Sequence, residues 1–183
     1  MKRSSRVRPL LIGQIGLIVG LLTCFVLKPQ FLKSEGGFSN YGVTAVTVPF
    51  FTLAFLFAAV GTFMTAQQIA RTKLAWSLRI LALLFFFVLV STYPYKVNGA
   101  FDDLHKLAAI LLFVWEVALS VYFVRKLHDA PNVLAFALQF GASLAALITF
   151  LGFVHLLFVS QFVEGAAFGV LLVRSLSKVE ATS

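Results

Sequence analysis

Six apolar stretches, each about long enough to cross a bilayer, fill nearly all of the chain, at about residues 9–27, 43–66, 76–93, 104–124, 133–151 and 156–173. This pattern fixes the solvent before anything else is read. A hydrocarbon core of ~30 Å needs ~20 apolar residues in a helix, and lipid offers no partner to an unpaired backbone group. Of the 183 residues, 60% are hydrophobic and 12% charged, and the mean hydropathy is +0.96. A water-soluble domain of that size cannot bury so much apolar surface. The expected fold is all-α: an integral membrane bundle of six transmembrane helices, one domain over residues 1–183.

The connections carry the orientation. If the N-terminus is cytoplasmic, the inner segments hold Lys2, Arg3, Arg6, Arg8, Arg71, Lys73, Arg79, Arg125, Lys126, Arg174 and Lys178, and the outer ones hold Lys28, Lys33, Lys96 and Lys106. Eleven against four is the positive-inside pattern, and it predicts both termini in the cytoplasm. The net charge of +8 does not indicate nucleic acid, because the cations sit at span ends, where lipid headgroups meet them. Residues 133–173 are apolar almost throughout, and these 41 residues match two spans, with the break expected near Gly152 to His155. The lone Cys24 lies within the first span, so no intrachain disulfide forms.

Two carboxylates fall within spans, Glu116 in the fourth and Glu164 in the sixth. An unpaired ionised carboxylate at the bilayer centre costs at least ~2.5–3.5 kcal/mol, so each is expected to face the bundle interior with a partner. The functional reading is a proton relay or polar ligand contact; the structural one is a protonated Glu hydrogen-bonded to a neighbouring helix. His105 precedes Glu116 by eleven residues, about three turns and ~16 Å along one face. Asp102 and Asp103 read as a solvated acidic loop with a helix-capping Asp, because adjacent aspartates point apart and do not converge on a metal. Pairing His105 with His155 as haem ligands is weaker than interfacial hydrogen bonding. Gln161 with Glu164, and Gln139 with Ser143, share helix faces and read as interhelical hydrogen bonding. Gly13, Gly16 and Gly20 suggest close helix approach. Ser39 to Gly42 is expected to fold as a turn over the outer mouth, with Gly42 at φ > 0 and His105 clasping Ser39 and Tyr41.

The outer loop reads Glu35-Gly-Gly-Phe-Ser-Asn-Tyr-Gly42, with Pro49 heading the second span. Tyr93-Pro94 closes the third, His105-Lys-Leu-Ala108-Ala109 opens the fourth and leads to Phe113, and Ser160-Gln161-Phe162 opens the sixth. In these features the chain resembles the Frag/DRAM/Sfk-type group of six-helix membrane proteins, nearest to its prokaryotic relatives of unknown function. The resemblance implies the six-span topology and, for the eukaryotic members, a link to membrane lipids or trafficking. It supplies no catalytic residues.

The expectation is a non-enzymatic multi-pass protein of the plasma membrane that binds lipid or associates with a partner membrane protein or a second copy of itself, with no cofactor and no nucleic acid partner. Its candidate polar functional residues are Ser39, His105, Glu116, Gln161 and Glu164. Two rivals make different use of them: a membrane-embedded lipid hydrolase or transferase built on Ser39, His105 and Asp102 or Asp103, and a small proton- or cation-coupled transporter using Glu116 and Glu164. Carboxylates around an aqueous cavity favour transport, whereas a dry hydrogen-bonded pair favours structure.

Overall fold

Helix ends fall where the sequence removes or caps backbone donors. The computed structural model describes residues 6–33, 37–69, 72–150 and 156–181. Within them run α1 (Arg8–Leu27), a 3-10 turn (Pro29–Lys33), the single turn α2 (Ser39–Gly42), α3 (Val48–Gln68), α4 (Thr72–Thr92), α5 (Gly99–Leu127), α6 (Ala130–Phe150) and α7 (Leu157–Ala181). All but the two short turns are long and apolar enough to cross a membrane, which makes six. Pro9 and Pro49 sit in the first turns of α1 and α3, where a missing N–H removes a donor that has no helical partner anyway.

Several helices outrun their apolar stretches. The residues read as a loop up to Asp103 are helical from Gly99, because the Asn98 side chain accepts from Phe101 N at 3.0 Å and satisfies an orphan donor of the first turn. The cap is thus Asn98 and not an aspartate. α4 takes in Lys73, and α7 continues past Arg174 and Lys178 to Ala181, since no Pro or Gly lies there to stop it. The expected break between the last two spans, including His155, falls at residues 151–155, outside the described residues.

The helices alternate in direction. One end of the bundle holds the start of α1, the end of α7 and the α5–α6 turn; the opposite end holds the 3-10 turn, α2 and residues 93–98. α1 packs on α3, α3 on α4, α4 on α5, and α7 lies against α6, α5 and α1. The α1–α3 seam is made by backbone proximity. A methyl group on Gly13 would meet Phe57 O at 2.6 Å, and one on Gly61 would strike Pro9 O and the Gly13 backbone. Small residues allow this approach, which adds dispersion contacts where lipid provides no hydrophobic drive. The approach also brings Thr65 Oγ1 to Leu10 N at 2.9 Å, capping a first-turn donor from the neighbouring helix. The side chains turned outward are apolar, such as Ile12, Ile15 and Val19 on α1 and Leu53, Phe57 and Val60 on α3, which is the arrangement a bilayer requires.

At the end carrying the termini, Asp129 closes the α5–α6 turn. It accepts from Asn132 N at 2.9 Å, takes a hydrogen bond from the Lys178 ammonium and lies 3.8 Å from Arg174. His128 before it adopts the left-handed conformation at φ 47° that ends the helix.

Candidate functional site

Besides the Asp129 cluster, polar side chains among the described residues gather at the mouth of the bundle away from the termini and in its middle. At the mouth, α5 carries His105, buried at 6% exposure. Its Nε2 lies 2.5 Å from Ser39 Oγ, and its Nδ1 lies 3.2 Å from Ser91 Oγ and 3.3 Å from Thr92 Oγ1. Hydroxyl bookkeeping assigns the tautomer. Ser91 and Thr92 each donate their one proton to Val88 O, at 3.0 and 2.7 Å. Both can therefore only accept from the imidazole, so Nδ1 carries the proton and Nε2 accepts from Ser39 Oγ–H. Tyr95 lies against the imidazole with ring centroids 5.0 Å apart. Burial, followed by the nearby Asp102 charge, raises the Tyr95 phenol above its ordinary pKa.

The segment over the mouth is tied at several points. Asn40 Oδ1 accepts from Lys96 Nζ at 2.7 Å, and Lys96 N donates to Asp102 Oδ1 at 2.6 Å. Phe38 N donates to Gln161 Oε1 at 2.9 Å. Tyr41 is fully buried, edge-on to Phe31 and Phe158, and its hydroxyl donates to Lys28 O at 3.3 Å. Burial, with Cys24 adding, pushes this phenol up to about 12, so it stays a donor at any physiological pH. Gly42 does not take a positive φ; that conformation belongs to Gly37, at φ 51°. Gly42 is needed for space, because a methyl group there would strike Thr92 Cγ2 and the Phe51 ring.

In the middle of the bundle, three helices bring four polar side chains together. Ser120 Oγ donates to Gln139 Oε1 at 2.6 Å, Gln139 Nε2 donates to Glu164 Oε1 at 3.1 Å, and the Glu116 carboxyl neighbours that of Glu164. Glu116 and Ser120 lie four apart on α5, a spacing that stacks them on one face. Glu116 is 4% exposed, and Ser120 and Gln139 are fully buried.

Ser39 and His105 thus meet, as do Glu116 and Glu164, but the two clusters stay apart. Gln161 shares a face with Glu164 yet serves the mouth, holding Phe38 N. The Ser143 hydroxyl returns to Gln139 O of its own helix at 2.7 Å and not to another helix among the described residues, a common outlet for a mid-helix serine. Asp103 pairs with the adjacent Lys106 and Asp102 serves Lys96 N, so neither carboxylate orients the imidazole. Among the described residues no three His, Cys, Asp or Glu side chains converge as metal ligands. Ser91, Thr92 and Tyr95 escaped the sequence reading. At the end of an apolar run they look like ordinary interfacial residues, and the one available signal was their placement at the same bundle end as His105.

No protein-family model matches the chain, and neither a curated protein nor a solved structure does.

Proposed function

We propose that this multi-pass membrane protein is non-enzymatic, lies in the plasma membrane with both termini cytoplasmic, and acts by binding membrane lipid or a partner membrane protein along its apolar faces. The observation that carries the reading is the state of His105. Both ring nitrogens are engaged by hydroxyls of the surrounding packing, and Ser39 Oγ, its partner at 2.5 Å, is itself buried at 9% exposure. A catalytic base also needs a carboxylate or comparable group to stabilise the imidazolium, whereas Nδ1 here faces the Ser91 and Thr92 hydroxyls. That geometry suits a clasp that holds the outer segment on the bundle. Glu116 is buried, and the half-buried Glu164 is held by Gln139, which Ser120 holds in turn; a hydrogen-bonded set of this kind favours a structural role over a cation path.

One observation favours a second reading. Nε2 accepting from Ser39 Oγ–H is also the relation of a serine nucleophile to its base. A fluorophosphonate probe and the His105→Asn variant separate the two. For a clasp, purified protein is not labelled at Ser39, and His105→Asn lowers the thermal midpoint by the equivalent of about 1 kcal/mol, the net worth of one neutral hydrogen bond. Labelling of Ser39 that disappears in His105→Asn makes the protein a hydrolase or transferase.

A further inference from the structure

Among the described residues, a groove between α6 and α7 and another between α4 and α5 face outward, and they differ in charge. One, between α6 and α7, has a volume of about 280 Å³ and is lined by apolar side chains including Leu138, Phe162, Val163 and Val170. The other, between α4 and α5, has about 260 Å³ and runs from Trp115 and Leu119 to Lys73 and Tyr122 at the end of the bundle that carries the termini. Trp115 is fixed in it by donation from its indole Nε1 to Ser77 O at 3.0 Å. Beyond the lining, one turn after Tyr122, Lys126 Nζ lies 2.9 Å from Tyr122 Oη and 5.2 Å from the centre of that ring. Lys106–Asp103, Arg174–Asp129 and Lys178–Asp129 are ion pairs among the described residues, and none of them takes Lys73 or Lys126. The groove therefore has an apolar body, Lys73 at its mouth and Lys126 on the lining residue Tyr122, and neither cation is neutralised by those carboxylates.

We propose that the α4–α5 groove is a binding site for one anionic glycerophospholipid, its headgroup phosphate lying between Lys73 and the Tyr122–Lys126 pair and one acyl chain running past Leu119 to Trp115. This rests on the lipid-binding half of the reading above. Charge complementarity selects the occupant. A zwitterionic lipid brings its own cation to the mouth, whereas an anionic one meets Lys73 and Lys126 without a competitor. Length agrees as well: Trp115 and Tyr122 are seven residues apart, ~10 Å along the helix axis, which places the indole beside the middle of an acyl chain whose phosphate is at the mouth. Tyr122 fits the amphipathic position of an interfacial aromatic, its ring against the chain and its hydroxyl toward the headgroup.

The indole supplies the readout. Trp76 is the other of the two tryptophans, so Trp76→Phe leaves Trp115 as the sole indole. That protein is reconstituted into phosphatidylcholine vesicles containing a minority of either phosphatidylglycerol or phosphatidylcholine brominated in mid-chain, and Trp115 quenching gives the relative association constant. We expect phosphatidylglycerol to be preferred by about fivefold or more, the factor one lysine near a headgroup supplies. Lys73→Ala/Lys126→Ala should bring the ratio close to one, while Lys106→Ala at the opposite end leaves it unchanged. Quenching by brominated phosphatidylcholine must stay at the parent level in the double variant, which shows that the groove itself is intact; if it does not, Lys73→Gln alone is used and should lower the ratio. No preference in the parent, or a preference that survives loss of the lysines, overturns the site. Phosphorus analysis of the purified protein keeps the two levels apart. Retained anionic lipid without a Trp115 preference removes this groove and leaves lipid binding standing; no retained lipid and no preference removes both.

Discussion

Glu116 shows how far a single residue can be read from sequence. Its depth in an apolar run already required an interior position and a partner, and the structure supplies Glu164 from α7, with Gln139 and Ser120 completing the chain. Which partner it takes was not legible, because spacing along one helix says nothing about the facing helix. The same holds for His105, whose meeting with Ser39 followed from their common end of the bundle, while Ser91, Thr92 and Tyr95 emerged only with the packing. Glu116→Gln keeps the shape and retains a donor toward Glu164, so thermal stability should change little. Glu116→Leu removes the pairing and should cost about 1–2 kcal/mol. Equal losses in the two variants, measured by thermal unfolding in detergent, would show that an ionised Glu116 is needed and would revive the cation-path reading.

Among the elements, the α1–α3 seam was legible because small residues in series announce close approach, and Gly13 meets Gly61 as backbone against backbone. Gly61→Ala has no room to relax, since the obstacles are Pro9 O and the Gly13 backbone. We expect it to destabilise by about 1–3 kcal/mol, the range for an overpacked contact, whereas Gly141→Ala, with open space around it, should be neutral or better. An equal effect of the two on the unfolding midpoint would place the seam elsewhere. Helix ends were less legible, as Asn98 shows: capping outweighs hydropathy, so α5 starts five residues before its apolar run. The α5–α6 turn carries a pH dependence of definite sign. The Lys178 ammonium, then Asn132 N, hold the Asp129 carboxyl below the usual carboxylate range. A depressed folded pKa contributes stability that is fully present above the unfolded value of about 3.9 and is lost as pH falls through the lower folded value. Asp129→Asn keeps an acceptor for Asn132 N but loses the charge. The parent should therefore exceed this variant in stability at neutral pH, and the gap should close on acidification. A gap that does not change with pH would contradict the ion cluster.

For the whole molecule, the pattern of apolar runs was enough for the fold class, since six runs of this length and hydropathy have few alternatives to a membrane bundle. What such a bundle does was not written in a motif, because its polar side chains are few and its apolar faces are what any lipid-facing helix shows. Outer clasp, inner lipid groove and cytoplasmic termini all depend on one orientation, taken from eleven cations against four. The most direct test is the sidedness of the ends, read with reporters active on only one side of the membrane and fused at Ser4, Asn98 and Ser183. We expect Ser4 and Ser183 to report the cytoplasm and Asn98 the outside. A C-terminal reporter on the outer side would contradict the six-span bundle, and an inverted pattern at all three sites would move the Ser39–His105 clasp to the cytoplasmic face.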